Sequence, residues 1–390
     1  MKLSDGYKQP YLFYEWHDTQ SDAVGWIVVY NFVSNYCSGG TRMHPNVNAE
    51  EVYRLARAMA YKYKACDSVT TGGCKAGIAY DHKAPDARDV LKRFLIAATP
   101  LMNHGVNLGG DLGVDANVVF EIWKELGVKV PQTKAMRNDP NVTEGTKKHD
   151  LLCEMKLDRF LTYDMITGYG TAFGADEQWI LRTGESGNGA TVVVQGFGCL
   201  GASCAHKLSR LGYKIVGISD ANGMVVCEDG LDIDLLLDNR KHAGEINYDA
   251  IPANYKRIEN TQWLEVDCDI LIPAALEDVL NISNADKVRA KVVAEGANIS
   301  TTPDADDVFL KKGIDVAVDF LINLGATRYY DSIIFNKIGL CTQEASNDVE
   351  KIVRRNVRLV HEKAKESGRK HRVVAEEIFE PDTFDYPDIF

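Results

Sequence analysis

Hydrophobic and polar positions follow two different rhythms along this chain. Residues 24–33, VGWIVVYNFV, are an apolar, β-branched run preceded by HDTQSD, which predicts a strand after a hairpin-like turn. Over 49–61 apolar side chains recur at Val52, Leu55, Ala56, Met59 and Ala60, the stripe of an amphipathic helix. Asn48, followed by acidic residues, suits its start. A glycine-containing loop over 70–77 and another helix from about Ala87 are expected next. The segment 132–150 turns polar, with a proline and several turn formers, and reads as the approach to a domain boundary.

After a helix near 158–182 the rhythm changes. Short Val- and Ile-rich runs (TVVVQGF, KIVGISD, CDILIPAA, AKVVAEGAN, IDVAVDFLI) follow one another with helical stretches such as ASCAHKLSRLGY between them. That pattern predicts a parallel sheet flanked by helices, and the fold class is α/β. The last fifty residues are helical and charged, and are expected to return to the first domain. The predicted division is 1–150, 151–340 and 341–390.

The length of 390 residues accommodates two or three domains. With 44 Lys+Arg against 56 Asp+Glu, the net charge of -12 argues against nucleic acid or an anionic membrane as partner. No run of eighteen apolar residues and no basic-then-apolar leader is visible. The nine cysteines are dispersed, with no CxxC or zinc-like spacing. They fit reduced thiols in a cytoplasmic protein, and no metal is expected.

The strand TVVVQ runs into Gly196-Phe197-Gly198-Cys199-Leu200-Gly201 and then a helix, and a second strand ends at Asp220. Strand, glycine turn, helix, strand and acid fall in the order and span of the Rossmann dinucleotide fingerprint. Gly196 suits the tight turn, Gly198 lets backbone approach the pyrophosphate, and Gly201 lets helix and strand pack closely. Asp220 is placed to accept hydrogen bonds from ribose hydroxyls. A 2′-phosphate would meet like charge there, and no Arg or Lys occupies 221–226, which favours NAD over NADP.

Upstream, Lys75 lies in the glycine-rich GGCKAGI, just after the helix carrying Lys62 and Lys64. A lysine in an apolar glycine turn near a second ammonium is suited to carrying protons near neutrality. With GGTRMHPNVNAEEVYRLARAMAYK (39–62), GGDLGVD (109–115), ITGYG (166–170), VVVQGFGCLG, SDANG, IPAALEDVLN (272–281), AEGANISTTPDAD (294–306) and VDFLINLGA (318–326), the chain resembles the glutamate/leucine/phenylalanine/valine dehydrogenase superfamily. Around GGTRM and TGYG it is closer to the leucine/phenylalanine branch.

The resemblance implies an N-terminal α/β substrate and oligomerisation domain, a Rossmann domain, C-terminal helices that pack back, and a homo-oligomer. It matches Lys62 to the lysine that grips the substrate α-carboxylate, Lys75 to the one that activates water, and Asp111 to the proton-shuttling acid. Gly39 and Gly40 match a loop beside the substrate. Asn298 and Asn323 match asparagines near nicotinamide and substrate, and Thr167 a threonine by the cofactor; Ala274, after the strand CDILIP, joins the cofactor set. The resemblance also implies closure of a cleft that excludes water from the hydride step.

Two departures bear on the substrate. The interval from Lys62 to Lys75 is 13, one longer than the family pattern, so Lys64 is the alternative for the carboxylate. Glutamate-specific members carry a lysine before GG, where Ser38 stands here, and their later serine falls within 328–330. Arg328 could replace both contacts. Gly109 leaves room for a bulky side chain. The expected function is NAD-dependent reversible oxidative deamination of a non-acidic, apolar or aromatic L-amino acid. Reductive amination or imine reduction on an unusual substrate, glutamate dehydrogenation, and a non-catalytic nucleotide-binding subunit stay open as alternatives.

Overall fold

The computed structural model describes residues 8–34, 36–127, 154–241 and 244–382, with isolated positions between 144 and 151. The chain groups into two compact units. One comprises Met1–Lys147, Ile334–Asn336 and Glu380–Phe390; the other comprises Lys148–Ile333 and Lys337–Phe379. The predicted boundary segment, 132–150, lies almost wholly outside the described residues.

The first unit is built on a five-stranded sheet of order β1-β2-β4-β3-β5. Its strands are β1 (Leu12–His17), β2 (Val24–Val29), β3 (Cys37–Met43), β4 (Gly72–Ala79) and β5 (Val106–Gly110). β1, β2 and β4 pair antiparallel, whereas β3 runs parallel to both β4 and β5. The sheet is covered by α1 (Ala49–Ala65) on one face and by α2 (Ala87–Asn103) with α3 (Ala116–Glu125) on the other. Ile27, Cys74, Ile78 and Leu108 bury against Phe94 and Leu95 of α2 and Ile122 of α3. Val28, from the opposite face, packs with Val52, Tyr53 and Ala56 of α1.

Side chains alternate across a strand, so register assigns each residue to a face. Asn48 caps α1 as its composition suggests, its side chain accepting from the Glu51 N–H. The stretch 70–77, read from sequence as a glycine-containing loop, lies largely in the strand β4, and Gly39 and Gly40, matched to a loop beside the substrate, lie in the strand β3. Their glycines are there for close approach rather than for turning: a Cβ on Gly39 would lie 1.8 Å from the Cys74 carbonyl oxygen.

The second unit begins with a two-residue hairpin, β6 (Lys156–Leu157) and β7 (Phe160–Leu161), and α4 (Thr162–Thr183). A seven-stranded sheet follows, of order β11-β10-β9-β8-β12-β13-β14. It comprises β8 (Thr191–Gln195), β9 (Lys214–Asp220), β10 (Gly223–Val226), β11 (Lys256–Ile258), β12 (Ile270–Pro273), β13 (Val292–Ala294) and β14 (Asp315–Ala317). From β9 to β14 the pairing is parallel, and β10 and β11 extend the β9 edge antiparallel. The helices are α5 (Cys199–Arg210), α6 (Ile233–Asn239), α7 (Pro303–Lys312), α8 (Asp319–Ile322), α9 (Gly325–Ile334), α10 (Thr342–Ser367) and α11 (His371–Ile378).

The helices α10 and α11, expected to return to the first domain, group with this second unit; Glu380–Phe390 group with the first. The reason is the stripe Ala345, Val349, Ile352, Val353, Val357 and Val360, buried along α10, which packs onto α4. No helix among the described residues is long and apolar enough to cross a membrane.

In the first unit Arg93 of α2 grips Asp18, in the β1–β2 turn, through Nε at 2.8 Å and Nη2 at 2.6 Å. Those bonds, with the Ser21 hydroxyl, hold the Asp18 carboxyl at about 2 against the opposing effect of burial. The folded-state value lies below the unfolded one of about 3.9. The pair's contribution, about 2 kcal/mol, is therefore complete above about pH 4 and lost as the pH falls towards 2. Asp18→Asn should remove that pH dependence, measured as the difference in denaturant midpoint between pH 6 and pH 2.5.

Candidate active site

The face of the first sheet that meets α1 carries the side chains that the sequence offers as catalytic candidates. Cys74, Ala76 and Ile78 of β4 point into the α2/α3 core, so Lys75 points the other way. Gly40 is in register with Gly109, and Ser38 with both Gly73 and Asn107. Ser38, Gly40, Lys75, Asn107 and Gly109 thus share one face, with Asp111 following directly after β5.

Lys75 is 3% exposed, and its ammonium forms an ion pair with Asp111. Arg42 of β3 lies 3.6 Å from the same carboxylate and donates to Glu51 of α1 at 2.7 Å. Burial alone would raise the Asp111 carboxyl, but Lys75 and Arg42 outweigh it and hold it well below the usual carboxylate range. Gly40 makes this arrangement possible: a Cβ there would stand 2.6 Å from the Gly110 oxygen and 2.9 Å from Asp111 Cβ. Above Gly109, by contrast, nothing comes nearer to an added Cβ than the Gly39 oxygen at 3.9 Å.

The structure separates the two candidate lysines of α1. Lys62 is buried, at 6% exposure. Lys64 turns to a more exposed side and pairs with Asp382 at 2.7 Å. Two residues along a helix is a rotation of about 200°, so both cannot face the sheet. Ser38 is also buried, and its hydroxyl accepts a hydrogen bond from Asn107 Nδ2 at 2.9 Å. Asn107 Oδ1 is buried with no hydrogen-bond partner. Sequence reading missed Asn107, although its place two residues before Gly109 puts it on the same strand face.

In the second unit the glycine turn has the form predicted. Gly196 has φ +107°, a conformation that side chains resist, and its N–H donates to the Ser219 oxygen at 2.9 Å. It also lies against Ala274, whose carbonyl oxygen would stand 2.9 Å from an added Cβ. A Cβ on Gly201 would come within 2.1 Å of the Gly196 oxygen, so α5 can start this close to β8 only with glycine there. Phe197 is buried, whereas Cys199 and Leu200 begin α5 at the surface.

A dinucleotide fits this turn. Gly198 is the N-cap of α5, where the first-turn N–H groups have no helical partners. A Cβ on Gly198 would meet nothing within 4 Å, so backbone can approach a pyrophosphate closely. Gln195 Oε1, beside the turn, and Asn323 Oδ1 are buried amide oxygens without a hydrogen-bond partner. Asn323 Nδ2 donates to the Gly296 oxygen at 2.9 Å and to Asn298 Oδ1 at 3.0 Å. Thr167 accepts from the Ala326 N–H at 3.1 Å, which joins it to the same 323–326 segment.

Asp220 differs from its sequence-based picture. Its carboxylate is 8% exposed and already accepts from the Asn222 N–H at 2.8 Å, the Tyr248 hydroxyl at 2.7 Å and the Ile246 N–H at 2.7 Å. About one of its four acceptor positions is left for a ribose hydroxyl. Burial, with the hydrogen bond to Asp220 second and its charge third, pushes the Tyr248 phenol up. A cation the local sequence does not contain also arrives here: Arg257 of β11 donates to the Asn222 oxygen at 2.8 Å and lies 4.1 Å from the Tyr248 ring centre.

Comparison with known proteins agrees with both halves. Residues 160–379 match the model of the family described as Glutamate/Leucine/Phenylalanine/Valine dehydrogenase, and residues 14–122 match its dimerisation domain. The chain is 31% identical over 323 residues to the NADP-specific glutamate dehydrogenase of Saccharolobus shibatae, covering 77% of this chain and 68% of that one. It is 32% identical over 333 residues to the NAD-specific glutamate dehydrogenase of Staphylococcus aureus, covering 83% and 76%.

Among solved structures it is similar to the hetero-hexameric glutamate dehydrogenase of Thermus thermophilus in a leucine-bound form. That match has a TM-score of 0.75 at 25% identity, over 97% of this chain and 91% of the other. It shares the fold of the L-tryptophan dehydrogenase of Nostoc punctiforme, with a TM-score of 0.60 at 21% identity over 95% and 94%. The chain belongs to the glutamate/leucine/phenylalanine/valine dehydrogenase family, the NAD(P)-dependent amino-acid dehydrogenases.

Proposed function

We propose that this enzyme catalyses the NAD-dependent, reversible oxidative deamination of a non-acidic, apolar or aromatic L-amino acid to its 2-oxo acid and ammonia. The observation that carries this reading is the sheet face on which the buried Lys75, paired with the partly buried Asp111, stands one row from the uncharged Ser38–Asn107 pair. A dinucleotide held at the Gly196–Gly201 turn would supply the acceptor for the hydride that leaves the substrate Cα. Asp111, kept ionised by Lys75 and Arg42, takes a proton from the substrate nitrogen. Lys75 exchanges protons with the water that adds to the resulting imine, and ammonia leaves from the carbinolamine. Lys62 supplies the fixed charge for the α-carboxylate.

Three observations support a non-acidic side chain. The position before the paired glycines holds Ser38, whose hydrogen bond is to an amide. Arg328, the alternative cation, donates to Asp348 at 2.6 and 2.8 Å and so has its own carboxylate. Above Gly109 there is room for a side chain. A substrate carboxylate left in such a site without a cation would be costly. The curated relatives named above are glutamate dehydrogenases, and glutamate is therefore the competing substrate.

NAD is proposed over NADP because Asp220 would repel a 2′-phosphate; Arg257, beside it, is the residue that would moderate the preference. The match of 14–122 to a dimerisation domain supports a homo-oligomer, and the dispersed cysteines support a cytoplasmic enzyme.

A panel of L-amino acids followed by reduced-nicotinamide absorbance should give the highest kcat/KM with an apolar or aromatic substrate, and a higher value with NAD than with NADP. A best rate with glutamate would overturn the side-chain assignment, and a higher value with NADP the cofactor assignment. Ser38→Lys should raise kcat/KM for glutamate relative to the best apolar substrate by about tenfold or more.

Lys75→Ala and Asp111→Asn should each lower kcat by about 10²–10⁴-fold, with dinucleotide binding by fluorescence titration unchanged. A near-normal rate in either variant would remove that residue from the mechanism.

A further inference from the structure

A second cluster of titratable side chains lies in the second unit and has no part in the chemistry above. Asp315 opens β14, the edge strand of the seven-stranded sheet; His361 lies in the second half of α10; His371 is the first residue of α11. One ligand-capable atom from each lies within 4.8 Å of the others. His361 Nδ1 is 3.9 Å from Asp315 Oδ2, and the two imidazole centres are 5.6 Å apart. His371 Nε2 is buried and has no hydrogen-bond partner.

The surroundings fit a cation more specifically than they fit bare packing. Gln178 of α4, 1% exposed, places its amide nitrogen 2.8 Å from His361 Nδ1 and 3.5 Å from Asp315 Oδ2, so an NH2 group bridges two of the three. Rotation of that amide would present its oxygen instead. Arg182 lies 3.7 Å from Asp315 Oδ1, which leaves Oδ2 turned towards the histidines. Burial lowers both imidazoles, His371 to about 4, and neutral imidazoles are the ligand form. The other charges acting on the pair are Lys365 and Glu362 of α10.

We propose that Asp315, His361 and His371 form a structural site for Zn²⁺, with Gln178 supplying the fourth position. Two imidazoles, a carboxylate and an amide oxygen suit a tetrahedral borderline cation rather than Ca²⁺ or Mg²⁺, which take oxygen. Drawing nitrogen and oxygen to about 2.0–2.2 Å from one centre requires side-chain rotation of all four groups. The ion would tie α10 and α11 to the sheet edge and to α4. The chain spacing, 46 residues and then 10, has no motif form, which is why the sequence gives no sign of it.

The test uses the full-length enzyme freed of metal by chelator dialysis. Zn²⁺ titration in competition with a chromophoric chelator should show one ion per chain held by the cluster. Co²⁺ should give visible tetrahedral d–d bands, and Zn²⁺ should raise Tm. His371→Ala and His361→Ala should each weaken Zn²⁺ binding by at least about tenfold and abolish both the cobalt spectrum and the Tm gain. NADH binding checks that they remain folded, and Asp315→Asn, which keeps the side-chain shape, should weaken binding if either does not. Absence of Zn²⁺ binding by the wild type, or binding unchanged in the folded variants, would overturn the site.

Discussion

A buried lysine held against a partly buried carboxylate sets the terms for the first unit. The Lys75 ammonium on that sheet face would carry a desolvation cost without its partner, whereas Asp111 keeps some contact with solvent and has Arg42 as a second cation. The pair persists because β3, β4 and β5 run parallel at close quarters, with glycine at 39 and 40 letting backbone and Asp111 approach. Arg42 and Glu51 extend the array to α1, so the helix that carries Lys62 is anchored to the sheet by charge as well as by Val52 and Tyr53. The same arrangement that makes the strands fit holds the Asp111 carboxyl well below the usual carboxylate range.

The second unit solves a different problem, since it must leave backbone donors exposed while remaining rigid around them. Gly196 and Gly201 set the path of the turn and the start of α5, and Asp220 ties the end of β9 to Ile246 and Tyr248. Rigidity further along comes from Arg372 of α11. It donates to Glu295 at 2.5 Å, Asp319 at 3.0 Å and Asp306 at 3.2 Å, all three nearly buried. Burial pushes Glu295 up to about 7 against the pull of Arg372, with Asp319 and Asp306 adding to the rise. Three carboxylates on one guanidinium thus link β13, α7 and α8 to α11, close in sequence to Asn298 and Asn323.

Much of this was legible before any coordinates. The stripe on α1, the Val-rich strands of the second sheet and the βαβ turn each carry a local signal, because period and glycine placement reflect contacts within a few residues. The reading of 70–77 and of Gly39-Gly40 as loops failed for a physical reason. Glycine is a sign of turning only when its backbone conformation requires it, and here it serves strands that pack too tightly for a side chain. Likewise, the absence of Arg and Lys over 221–226 did not exclude a nearby cation, since Arg257 of β11 reaches the Asn222 oxygen and the ring of Tyr248, which itself donates to Asp220.

The sequence by itself determined the family, the two α/β units and the dinucleotide turn, and it offered Lys75 and Asp111 as candidates, all of which rest on short-range pattern and residue chemistry. Tertiary structure alone decided which of Lys62 and Lys64 is buried, that Ser38 is joined by Asn107, that Arg328 is taken by Asp348, and that α10 and α11 lie with the second unit. Those outcomes depend on register between strands and on which helix face meets a sheet. Both are set by packing between segments distant in the chain, where local composition carries no information.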